Sequence, residues 1–160
     1  MLLIDTNGII EAVRTGCWNA LTGQLDVATV QECRREARTG NRNPGNITVP
    51  EEALDRLTDV DRVAQRQRAA LQLVYSGADG LDAGERALLA YAHDLPGEVA
   101  WRLCSPDVAC IRATVELGWA GRLCSLERLA GEVGRTPDWP LRDHFTRRWL
   151  SEKRTLFRMQ

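Results

Sequence analysis

Short apolar runs that pass almost at once into helix-forming segments constrain this 160-residue chain more than any other feature. The amino terminus, "MLLIDTNGIIEAV", sets the pattern. Residues 2–5 fit a short, fully buried strand, and 7–14 fit a helix with Ile9, Ile10 and Val13 on its apolar side. Asp26 to Thr29 reads as a second strand entering a helix from Val30 to Arg38, followed by the Gly/Asn/Pro-dense loop "TGNRNPGN" at 39–46. "ITV" at 47–49 reads as a strand leading into a charged helical region that ends near Tyr75, before a break at "SGADG". Residues 82–95 are predicted helical from the spacing of Leu88, Tyr91, Ala92 and Leu95. A strand near 99–104, a helix from Pro106 to Leu117, the turn residue Gly118, a short run at 119–124 and a helix in "SLERLAGEVG" complete the series. Strands alternating with helices predict an α/β fold, a mainly parallel central sheet flanked by helices in three layers. Trp139 to Gln160 reads as a separate amphipathic helix with Leu141, Phe145, Trp149 and Leu156 on one side. The chain is therefore divided into a domain over 1–137 and a basic carboxyl-terminal extension over 138–160.

Composition narrows the function classes. No apolar run approaches the ~18 residues of a membrane span. Asp5 interrupts the first apolar run and no basic segment precedes it, so the chain reads as cytoplasmic rather than exported. Five cysteines, with no C-x-x-C pair and only two histidines, lack zinc-site spacing and read as buried, reduced thiols. Net charge is −1 but uneven: residues 139–160 hold six basic and two acidic side chains, +4, against −5 for the rest.

Parallel α/β sheets bind ligands beyond the carboxyl ends of their strands. Four acids fall at strand-to-helix junctions or helix starts: Asp5, Glu32, Glu85 and Asp107. Each has a local explanation. Glu32 closes "TVQE" as a capping box with Thr29, and Glu85 closes "DAGE" with Asp82. Ser105 reads as a cap with Pro106 in the first helical position and Asp107 complementing the helix dipole. Asp5 can accept hydrogen bonds from the turn that follows it. Together, however, the junctions point to one sheet edge. Carboxylates brought that close raise one another's pKa values unless a cation neutralises them, and Mg²⁺ or Mn²⁺ matches oxygen-only donors. Such a site suits metal-assisted phosphodiester hydrolysis, which needs no protein nucleophile.

These residues carry a resemblance. "LLIDTN" resembles the opening strand of PIN-domain ribonucleases, which ends in a metal-binding aspartate. "VQECRREA" resembles the glutamate-bearing segment, "LDAGERALLAYA" the helix of the third acid in the branch with an L-D-x-G-E motif, and "SPDVACIRATVELGWAGRLCSLERL" the fourth-acid region. The resemblance covers roughly residues 1–134 and implies Asp5, Glu32, Glu85 and Asp107 as catalytic metal ligands, with Thr6, Asn7 and Ser105 as second-shell or substrate-facing groups. It further implies a Mg²⁺- or Mn²⁺-dependent endoribonuclease, the toxin of a VapC-like toxin–antitoxin pair, with RNA as substrate, a small protein antitoxin as partner and a homodimeric state. One departure is that Pro106 precedes Asp107 where this branch carries two adjacent aspartates. It motivates the alternative of a catalytically inactive PIN-like module that binds RNA or protein. Haloacid-dehalogenase-type phosphatases also open with an acid after an apolar strand, but they carry a second Asp where this chain has Asn7. In the carboxyl-terminal helix, Arg142, Arg147, Arg148, Lys153, Arg154 and Arg158 can track an RNA backbone, with Trp149 or Phe145 stacking on bases. The preferred reading there is a solvated basic face whose aromatic side packs on the domain or on another copy.

Overall fold

Three residues, Leu2–Ile4, form the central strand β1, and their alternation sets the layers of the molecule. In the computed structural model, which describes residues 1–40 and 47–159, Leu3 points into one core while Leu2 and Ile4 point into the other. β1 pairs in parallel with β2 (Val27–Val30) on one side and with β4 (Arg102–Cys104) on the other. A third parallel strand, β3 (Asp59–Asp61), extends the β2 edge, giving the order β3-β2-β1-β4. The sheet is all-parallel and covered by helices on both faces, so the predicted α/β three-layer architecture holds.

The helices are α1 (Thr6–Arg14), α2 (Trp18–Gln24), α3 (Gln31–Thr39), the short α4 (Glu51–Leu54), α5 (Gln65–Val74), α6 (Ala83–Asp94), α7 (Val108–Glu116), α8 (Leu126–Glu132) and α9 (Arg147–Arg158). One core packs Leu3, Ala28 and Leu103 against residues of α5, α6, α7 and α9, among them Leu71, Leu88, Ile111 and Phe157. The other packs Leu2, Ile4, Val27 and Cys104 against Ile9, Leu21 and Leu126. Each fully buried Leu or Ile contributes about 1.5–3 kcal/mol of transfer free energy. All five cysteines are free and buried, as composition predicted. Among the described residues no helix is long and apolar enough to cross a membrane.

Several local expectations are overturned. Residues 47–49 form no strand. The Val49 N–H instead donates to the Ala37 carbonyl, and Pro50 leads directly into α4. The third strand is "DVD" at 59–61, a polar, partly exposed edge that alternation cannot flag. Most of the predicted 39–46 loop, residues 41–46, lies outside the described residues. The carboxyl-terminal helix starts at Arg147, not Trp139, because Thr146 accepts the Trp149 N–H as its N-cap. Residues before it run as a strap over α1. The apolar side of α9 packs on the domain: Leu150 and Phe157 are buried, and the Arg112 guanidinium sits 4.8 Å from the Phe157 ring centroid.

Candidate active site

The sheet order reverses at β1: the chain winds outward through β2 and β3, then returns to β4 on the other side of β1. The crevice beyond the carboxyl ends of β1 and β4 is therefore where a ligand site is expected. Asp5 follows β1 and Ser105 follows β4, and they meet there. The Ser105 hydroxyl donates to Asp5 Oδ2 at 2.6 Å, and the Gly8 N–H donates to Asp5 Oδ1 at 2.6 Å. Asp5 is thus the N-cap of α1 and the floor of the crevice at once. Its residue is only 4% exposed. Burial pushes its carboxyl up from 3.8 to about 7, against the lowering effect of the Ser105 and Gly8 hydrogen bonds, with Asp107 and Asp82 adding repulsion.

Gly8 is part of the same construction. A Cβ there would stand 2.7 Å from Ile4 Cγ1 and 3.1 Å from Asp5 Oδ1. Ile4 is fully buried and β-branched, so it cannot yield without disturbing the core. Gly8→Ala is expected to cost about 1–3 kcal/mol, read as a lower urea midpoint at unchanged slope.

Glu85 enters from the first turn of α6. The predicted capping box forms: the Glu85 N–H donates to Asp82 Oδ1 at 2.8 Å, and the Asp82 N–H donates to Glu85 Oε2 at 3.1 Å. Glu85 is buried nonetheless, with the Asp107 carboxyl beside its own. Burial first, then Asp107 and Asp82, raise its pKa well above the ordinary carboxylate range. Asp107 is the N-cap of α7, its Oδ1 accepting the Ala109 and Cys110 N–H groups at 2.7 and 3.3 Å. Ser105 does not cap that helix. Its hydroxyl is turned to Asp5 and accepts the Asp107 N–H at 3.2 Å, linking the two acids through one side chain.

Glu32 does not join this group. Arg68 of α5 holds it in an ion pair at 2.5 Å, because α3 presents that turn to α5 rather than to the crevice. Its predicted capping box with Thr29 is also absent: Val30 is the N-cap, and the Thr29 hydroxyl donates to the Ile4 carbonyl at 2.6 Å. Glu36, one turn further along α3, faces the site. The Thr6 hydroxyl donates to Glu36 Oε2 at 3.0 Å, and the same oxygen lies 3.3 Å from where a Gly84 Cβ would stand. Gly84 is thus the close approach that lets α3 and α6 bring Glu36 beside Asp82 and Glu85. In the sequence Glu36 reads as part of a solvated helix face, "RREAR" at 34–38, and Asp82 as a cap rather than a ligand. Of the other expected groups, Thr6 is buried and positions Glu36, while Asn7 is exposed at the crevice mouth.

The acids that approach one another are Asp5, Glu85 and Asp107, with Asp82 and Glu36 at the rim. They are oxygen-only and mutually repelling, and no lysine or arginine pairs with the three inner acids among the described residues. That chemistry fits a hard dication in place of the protons the buried carboxyls otherwise retain. The ligand set is not closed beforehand: among the described residues no three such side chains already converge in a metal-ligating arrangement.

Beside the crevice lies a cleft of about 560 Å³ between the start of α7 and the carboxyl-terminal segment, with Asn7 and Asp107 on one wall and Arg142, His144 and Trp149 on the other. No protein-family profile, no curated protein and no solved structure matches this chain.

Proposed function

We propose that the chain is a Mg²⁺- or Mn²⁺-dependent endoribonuclease of the PIN type. The observation that carries this reading is the approach to Asp107, at the switch point of a parallel sheet, of the buried acids Asp5 and Glu85, which have raised pKa values and no cationic partner among the described residues. Asp5, Glu85 and Asp107 would hold the metal, with Glu36 in the role that the resemblance implies for Glu32. A bound dication there supplies an activated water and charge neutralisation on the scissile phosphate. Ser105 holds Asp5 in place and ties it to the start of α7. Thr6 orients Glu36, and the Asp82 N–H fixes one Glu85 oxygen so that the other faces Asp107. The toxin role, an antitoxin partner, a dimeric state and a cytoplasmic location belong to the same reading and rest on the resemblance of the sequence motifs.

The test is cleavage of labelled single-stranded RNA with Mn²⁺, with Mg²⁺ and with chelator. Glu85→Gln and Glu36→Gln are expected to lose about 10-fold or more of the metal-dependent rate, as loss of a ligand or its close support does. Glu32→Gln is expected to cut at the wild-type rate, because its carboxylate serves Arg68. Equal loss in Glu32→Gln and Glu36→Gln would refute the assignment of α3. The open ligand set and Pro106 favour a second reading, a PIN-like module that binds RNA or protein without cutting. Calorimetric titration with Mn²⁺ separates the two: a catalytic site takes up a stoichiometric ion and releases protons, and a vestigial one does neither.

A further inference from the structure

The carboxyl-terminal segment builds a wall that the acid site itself does not need. Residues 138–142 cross the end of α1 as a strap, tied by the Asp138 N–H to the Thr15 carbonyl at 2.9 Å and by the Arg142 N–H to Glu11 Oε1 at 2.9 Å. Phe145 then plugs into the core, 2% exposed, and Thr146 starts α9. The strap and the first turn of α9 thereby fix His144 and Trp149 in a rigid position opposite Asp107, across the 560 Å³ cleft. That volume lies in the range of sites for small organic ligands, about 300–1,000 Å³.

The two walls differ in chemistry. The α7 wall ends in the acid site, which repels phosphate in the absence of metal. The opposite wall is aromatic and cationic: His144 and Trp149 lie with ring centroids 6.2 Å apart, Lys153 Nζ lies 5.5 Å from the Trp149 centroid, and the guanidinium of Arg142 is exposed at the rim. Burial lowers the His144 pKa below its ordinary value, against the raising effect of Glu11 and Asp143. Flat rings flanked by cations, on a segment of net charge +4 in a chain of net charge −1, are the features that bind single-stranded nucleic acid by base stacking and backbone attraction.

We propose that this cleft holds an unpaired nucleotide of a single-stranded RNA, its base against Trp149 and His144 and its phosphates towards Arg142 and Lys153. The inference rests on the nuclease reading only for its direction, which places the neighbouring phosphate at Asp107. A base within a duplex is already paired and stacked, so an unpaired nucleotide is the species the rings are suited to take.

The test measures fluorescence anisotropy of a short labelled single-stranded RNA of mixed sequence, in chelator so that nothing is cut. Trp149→Ala is expected to weaken binding about 5- to 100-fold, the effect of losing one stacking platform. His144→Ala is expected to weaken it in the same direction. Arg66→Ala, an exposed charge loss on α5, is the control and should change affinity little. Unlabelled single strand should compete and a blunt duplex should not. Wild-type affinity in both ring variants would overturn the proposal. So would the absence of RNA binding by the wild-type protein. Cleavage, read separately, keeps the two ideas apart. Cutting with unchanged KM in both variants removes the cleft and leaves the nuclease. Ring-dependent binding with no cutting in any metal removes the nuclease and leaves the cleft.

Discussion

Asp5→Asn is expected to abolish metal-dependent cleavage while making the metal-free protein more stable at neutral pH. The two effects have one cause. A carboxylate that is 4% exposed is held near pKa 7 by burial, whereas in the unfolded chain it titrates near 3.8. A raised folded pKa contributes stability that is fully present below about pH 4 and lost as pH rises through about 7. The wild-type chain without metal should therefore lose stability across that window, by up to about 4 kcal/mol from this group. Asparagine keeps the shape, accepts the Gly8 N–H through its carbonyl and donates to the Ser105 oxygen, and carries no charge to desolvate. At pH 8 in chelator the variant should gain about 2–4 kcal/mol, a rise of roughly 4–12 °C in Tm for a chain of this size. Adding Mn²⁺ should raise the Tm of the wild type and leave the variant unmoved, because an ion bound only by the folded state stabilises by mass action. Loss of a second-shell partner alone costs ~10–100-fold in activity or metal affinity, so loss of this ligand should exceed ~100-fold. A variant that is less stable than the wild type in chelator at pH 8 would mean that Asp5 is an ordinary helix cap. Such a cap is worth about 1 kcal/mol and calls for no metal.

What could be read in the sequence divides by the range of the interaction. The capping box of Asp82 and Glu85 is legible because both partners lie within three residues and the approach of Asp107 leaves both of its hydrogen bonds in place. The similar pattern at Thr29 and Glu32 fails because two distant groups win: the Ile4 carbonyl takes the Thr29 hydroxyl, and Arg68 takes the carboxylate. Glu32 and Glu36 stand one turn apart on one helix, so spacing alone cannot choose between them. The choice is made by Thr6 and by the absence of a side chain at Gly84, on two other elements. Ser105 and Asp107 show the same limit. Either can cap a helix by local rules, and the serine is drawn off by Asp5, which only the pairing of β1 with β4 brings near. The alternation of strands and helices was legible because it reflects burial of whole segments. The edge strand 59–61 was not, since its two acids give it no apolar signature.

Glu11→Ala is expected to be the most destabilising single change outside the two cores. Within "IIEAV" this residue reads as an ordinary polar helix position, yet it is completely buried. Burial alone would raise its pKa. The Arg14 guanidinium, bonded to both carboxylate oxygens at 2.6 and 2.8 Å, and the Arg142 N–H at 2.9 Å hold it below the ordinary value instead. Arg14 also donates to the Pro140 carbonyl at 2.7 Å, so one buried carboxylate organises two of the ties that hold the strap, beside the Asp138 bond to Thr15. Breaking a buried ion pair costs about 3–5 kcal/mol. Arg14 and Arg142 keep access to water, which places this case near the lower end, about 3 kcal/mol. The sign with pH is opposite to that of Asp5. A depressed folded pKa contributes stability above about 4.5 that is lost as pH falls through the folded value, so wild type and variant should converge in acid. Limited proteolysis supplies the structural readout: cleavage between residues 138 and 146 should appear in Glu11→Ala under conditions that leave the wild type intact. Because the same strap fixes His144, the variant should also lose affinity for single-stranded RNA while its metal affinity stays at the wild-type level. Loss of metal binding together with RNA binding would show that the strap and the acid site unfold as one unit.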